Sequence, residues 1–159
     1  MVEGDCKVSA TAPSDATVID GIHVDQELSI KSGTTSPLSS LTVSVGGSSR
    51  GTSTGIFGGY GITIGNGAAG TISVYATASI SAQDSYGVRA GHGITMASGT
   101  LKATGGKVTG NSHSSYGILS KDGTFSVSGS ASITANGGAV GTSTAKSYGL
   151  YHAGQSPSR

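Results

Sequence analysis

The sequence predicts an all-β fold, a right-handed parallel β-helix (β-solenoid) of four to five coils with three short strands per coil. Three observations carry this. A Tyr-Gly-aliphatic tripeptide recurs at Tyr86-Gly87-Val88, Tyr116-Gly117-Ile118 and Tyr148-Gly149-Leu150, with degenerate copies at Thr54-Gly55-Ile56 and Asp20-Gly21-Ile22. The anchor glycines are spaced 34, 32, 30 and 32 residues apart, close to a constant period. Within each period, short apolar-polar alternations are separated by Gly, and no segment shows a sustained 3.6-residue apolar period.

Residues 1–17 precede the repeat. Residues 1–16, with Pro13, do not match it and read as an N-terminal segment or cap. The coils occupy 18–152. Each opens on a strand built on the tripeptide, and a turn follows, marked in three coils by Gly61, Gly93 or Gly123 and in the first by Glu27. The second strand reads Leu28-Ser29-Ile30, Ile62-Thr63-Ile64, Ile94-Thr95-Met96 and, shifted by one residue, Phe125-Ser126-Val127. The third reads Leu41-Thr42-Val43-Ser44-Val45, Ile72-Ser73-Val74, Leu101-Lys102-Ala103 and Ile133-Thr134-Ala135. Gly46-Gly47, Gly105-Gly106 and Gly137-Gly138 close three of the coils, and residues 153–159 form a tail.

A three-strand unit of this size cannot bury its apolar side alone, whereas stacked copies bury it against one another. Right-handedness follows from the general rule for parallel crossovers. The expected inward ladders are Ile22/Ile56/Val88/Ile118/Leu150, then Ile30/Ile64/Met96/Val127, then Val43/Ile72/Leu101/Ile133. Tyr and the aliphatic residue lie two apart and should share a strand face. Tyr86, Tyr116 and Tyr148 are therefore expected to stack along an inner corner. The competing reading makes them an exposed sugar-stacking platform.

Composition narrows the function. The 159 residues carry a net charge of +1 and only 11% charged side chains. Nucleic acid demands a strong basic footprint, which is missing. No Lys/Arg cluster suits an anionic membrane, and no 18-residue apolar run crosses one. Gly, Ser and Thr make up 74 of the 159 residues, so the surface is rich in hydroxyls. The one cysteine, Cys6, is expected to be an incidental thiol near a loose terminus, with an intermolecular link as the alternative. The polar start MVEGDCKVSA has no apolar stretch of signal-peptide type.

Catalytic patterns are sparse. Six of the eight acidic residues lie before residue 30, and only Asp20, Asp25 and Glu27 can meet around one turn. A glycosidase carboxylate pair or a weak calcium site is conceivable there, but a solvated turn is the simpler reading. His23, His92, His113 and His152 lack the partners of a zinc site and are expected on surface loops. No G-x-S-x-G elbow is present, and GNGAAG at 65–70 precedes no helix, so it is not a phosphate-binding loop. No active site and no cofactor are expected.

Binding is better served. The turn after the first strand carries the most varied polar column: Gln26, Tyr60, His92 and Asp122, with Arg89 and Lys121 nearby. Aromatic, amide and charged groups along one edge suit a hydroxyl-rich glycan. Tyr60, His92, Asp122, Lys121 and Arg89 are the candidate ligand-binding residues. A passive spacer that self-associates into a homo-oligomer through open solenoid edges is the main alternative. Ice binding is disfavoured because no sustained Thr-x-Thr ladder appears.

The coil Ser115 to Gly138, SYGILSKDGTFSVSGSASITANGG, resembles repeats of large secreted or surface-anchored bacterial proteins, some adhesin-like and some carbohydrate-binding β-helix modules. The matching features are Gly117-Ile118, the Lys121-Asp122-Gly123 turn, the strand Thr124 to Gly129, and the close Thr134 to Gly138. The resemblance implies an extracellular or cell-surface, non-catalytic module for adhesion or glycan binding. A remnant of a polysaccharide-active enzyme is a more distant implication.

Overall fold

The computed structural model describes residues 4–31, 38–65 and 72–154. The Gly-rich segment after Gly65 and residues 155–159 of the expected tail lie outside them. Among the described residues, fifteen strands and no helix form a parallel β-solenoid of about four turns. Three sheets run along its sides. The first holds β2 (Val18–Val24), β5 (Thr52–Gly58), β9 (Ser85–Ala90), β12 (Ser114–Ser120) and β15 (Lys146–His152). The second holds β3 (Glu27–Ile30), β6 (Gly61–Ile64), β10 (Gly93–Met96) and β13 (Phe125–Val127). The third holds β1 (Gly4–Ala12), β4 (Leu38–Ser49), β7 (Ser73–Thr77), β11 (Thr100–Thr104) and β14 (Ser132–Asn136), with β8 (Ile80–Ser81) pairing on the end of β4.

Every pairing is parallel, and like stacks on like. Ile22, Ile56, Val88, Ile118 and Leu150 lie in register, as do Ile30, Ile64, Met96 and Val127. Most of these side chains are fully buried, and together with Ile62, Ile94 and Leu101 they form one continuous core. Val127 and Leu150 are 43% exposed, because no described strand stacks beyond them.

The third ladder differs from expectation by two residues. Val74 aligns with Leu41, Leu101 and Ile133, while Val43 aligns with Ala76, Ala103 and Ala135. Ile72 is buried but precedes β7. Alternation places residues 72, 74 and 76 on the same side, so a slip of two preserves the pattern and the sequence alone cannot detect it.

Residues 4–12 continue the third sheet. Cys6 stands opposite Leu41 and Val8 opposite Val43. Cys6 is thus half-buried against the core, not on a loose terminus, because its strand inherits the inward alternation of β4.

The tyrosine ladder forms, but on the outside of the first sheet. Tyr86, Tyr116 and Tyr148 stack with centroids 5.1 Å apart and planes within 10° and 11° of parallel. Inside, at the same level, sit Ser53, Ser85 and Ser115, all fully buried. The strand changes sides at the glycine. A methyl group on Gly87 would point inward and meet the Thr104 amide nitrogen at 2.5 Å and the Gly117 carbonyl oxygen at 2.7 Å. The first and third sheets are too close there for any side chain, so Gly87 and Val88 both face in and Tyr86 is left outside.

The buried serines hold this narrow corner together. Ser85 Oγ accepts from Gly106 N–H at 2.8 Å and donates to the Ser79 carbonyl at 3.2 Å. Ser115 Oγ accepts from Gly138 N–H at 2.7 Å and donates to the Gly106 carbonyl at 2.8 Å. Ser53 accepts from both the amide and the hydroxyl of Ser79. Each hydroxyl therefore satisfies backbone groups of the turn that closes a coil, Gly-Gly for Ser115, Ala-Ser for Ser53 and one of each for Ser85.

Candidate functional site

The turns between the first and second sheets open onto a surface groove of about 270 Å³. The backbone of Gly61 and Gly93 forms its floor, with no side chain to keep a ligand away. Tyr60 and His92, the residues just before these glycines, form one wall. Their rings meet edge to face, 4.6 Å between centroids and 65° between planes. Tyr60 remains 59% exposed, so much of its ring is open to solvent. Thr63 and Thr95 stand side by side on the outer face of β6 and β10 and line the groove. Thr63 Oγ1 donates to Glu27 Oε1 at 2.9 Å. Glu27 is the charged residue of the lining.

The candidate residues divide. Tyr60 and His92 come together as the shared column predicts. Asp122 is exposed and does not line the groove. Its turn holds one residue more than the matching turn of the previous coil: Ser120 aligns with Ala90, but Phe125 aligns with Ile94. Gly123, at φ +72°, takes the place beside His92. Lys121 is also exposed and outside the groove. Arg89 belongs to a different face, the outer side of the first sheet, in one row with His23, Phe57, Leu119 and Tyr151. Thr63 and Thr95 escaped the sequence reading, because outward Thr on a strand looks like any solvated position, and Glu27, weighed there with Asp20 and Asp25, lines this groove instead.

In the tyrosine ladder each ring lies against the face of its neighbour. Stacked rings cover one another's faces and present only edges. Asp84 locks the inner end: it accepts from Tyr86 Oη at 3.0 Å and from Ser114 N–H at 2.7 Å. Burial first, then the Asp84 carboxylate, pushes the Tyr86 phenol well above its ordinary range. Burial likewise raises Tyr116. At the other end Tyr151 packs against both Tyr116 and Tyr148.

The acidic cluster near the start of the first coil is organised around a histidine. His23 Nδ1 lies 2.6 Å from Asp20 Oδ2, and Nε2 lies 3.0 Å from Asp25 Oδ1. These bonds, Asp20 first, raise the His23 pKa above its ordinary 6.5. Glu27 points to Thr63 instead. Among the described residues no three His, Cys, Asp or Glu side chains converge in a metal-binding set. His23 and His152 lie on strands, not on loops, and His113 approaches Asp84 at 3.6 Å. Comparison of the chain with protein-family models, with curated proteins and with solved structures finds no match.

Proposed function

We propose that this solenoid is a non-catalytic module that binds a neutral glycan in the groove at Tyr60 and His92, as part of an extracellular or cell-surface protein. The observation that carries the reading is the pairing of an open Tyr60 ring with a bare glycine floor. A sugar ring stacks through its C–H face on an aromatic face, while its hydroxyls need short-range donors and acceptors. The floor lets the ring approach the backbone, and Thr63, Thr95 and His92 supply hydroxyl and imidazole partners. Glu27 accepts from sugar hydroxyls and repels an anionic polymer, which favours a neutral one. The extracellular setting and the adhesion role rest on the resemblance of the Ser115 to Gly138 coil.

Retention on a panel of insoluble and soluble polysaccharides, with and without calcium, tests this directly. Binding to one neutral class is expected. Tyr60→Ser should weaken it by about tenfold or more, from the loss of a stacking contact. His92→Ser should weaken it less, and Asp122→Ser should leave it unchanged. Retention that survives Tyr60→Ser with His92→Ser would sink the assignment. No retention on any polymer would favour a structural repeat whose partner is another copy of itself.

A further inference from the structure

The tyrosine ladder is interrupted after Tyr86, where the Arg89 guanidinium covers the free ring face. The ladder's row continues from Tyr86 to Thr54 and then to Asp20, so two successive coils lack the ring. Beside these positions lies a notch of about 130 Å³, walled by Val18, Phe57 and the His23 imidazole. The Arg89 guanidinium also lines it. That guanidinium sits 5.2 Å from the Tyr86 ring centroid and 5.3 Å from that of Phe57, so it caps the end of the stack. Among the described residues no carboxylate pairs with it. Its Nε is shielded from water and has no hydrogen-bond partner. Such a cation, flat and weakly hydrated, is suited to packing against a further aromatic face.

We propose that this notch is a binding site for a single small phenolic ring, which stacks on the Arg89 guanidinium that caps the Tyr86 end of the ladder. The size agrees: a cavity of about 150 Å³ holds one benzene ring. The chemistry agrees as well. Phe57 and Arg89 offer an aromatic and a cationic wall, while Asp20 and Thr52 provide oxygen acceptors for the phenol O–H. The ladder itself supplies the precedent, since the Tyr86 phenol donates to a carboxylate of its own face. This site lies apart from the Tyr60 groove, and the two stand or fall separately.

The test is a titration of the intact chain with p-cresol, followed by NMR at His23, Phe57 and the backbone of residues 52–57. A saturable shift confined to these positions is expected, with a dissociation constant on the order of 1 mM for so small a ligand. The non-planar 4-methylcyclohexanol should bind at least about tenfold more weakly, because it cannot stack on a guanidinium. Thr54→Tyr, which fills the notch with the ladder's own ring, should abolish the shift. Arg89→Gln should weaken binding by about tenfold. Absence of saturation in the unaltered protein at about 10 mM ligand overturns the proposal. So does equal binding of the two ligands, or shifts that survive Thr54→Tyr or centre on Tyr60.

Discussion

Tyr86 combines three effects that act in the same direction. Its ring stacks on Tyr116, its phenol donates to Asp84, and it is only 6% exposed. All three favour the protonated phenol or penalise the phenolate. In the unfolded chain a tyrosine ionises near pH 10, whereas the folded Tyr86 keeps its proton to higher pH. The unfolded state therefore releases protons first as pH rises. The stabilisation is complete below about pH 10 and is lost above it. Melting temperatures at pH 8 and pH 11 should reveal an alkaline drop, and Tyr86→Phe should shrink it. An equal drop in the variant would show that other groups carry the alkaline sensitivity.

At the scale of the strands, the inward serines matter as much as the aliphatic ladders. Ser85 is fully buried and serves two backbone groups in the turns that follow β7 and β11. Ser85→Ala leaves the Gly106 N–H and the Ser79 carbonyl without this partner at a largely buried corner. A loss of about 1–3 kcal/mol is expected in urea unfolding. Ser126→Ala, on the outer face of β13, should change stability by less than about 0.5 kcal/mol. Equal effects at the two sites would contradict the corner geometry. The sequence carried a signal for this role, since Ser53, Ser85, Ser115 and Ser147 all stand two residues before the anchor glycine. A run of 28 serines hides such a column, because serine is ordinary at any solvated position. The aliphatic ladders of the first two sheets were legible because Ile and Val have one reason to recur at fixed spacing. The side taken by the tyrosines was not, because a bend at glycine resets the alternation without changing the sequence pattern. In the groove, Tyr60 and His92 were legible from their shared column. Asp122 was displaced by a single extra residue, which register alone reveals.

Considered whole, the molecule is a chain of near-equivalent neighbours. Each coil touches the one before and the one after through the same three parallel pairings. Stability is then close to a sum of coil terms and contacts between adjacent coils. Removing residues 85–114 joins Asp84 to Ser115, which occupies the position of Ser85 one coil on. The shortened chain should keep its β-type circular dichroism and fold with one coil fewer, at a lower melting temperature. It should also lose the wall that His92 contributes and with it the glycan retention proposed for the groove. Collapse of the whole fold on this deletion would mean that the coils are not interchangeable.

The narrow corner at the anchor glycines has a further consequence, for how such a chain changes over generations. Gly55, Gly87 and Gly117 each face the backbone of the next coil's glycine, so one coil is a template for the fit of another. Unequal recombination within the gene, cutting at equivalent positions, inserts or removes a period without demanding any new side-chain fit. Length is thus the property most freely altered by inheritance, while a single methyl group at the corner is among the least tolerated.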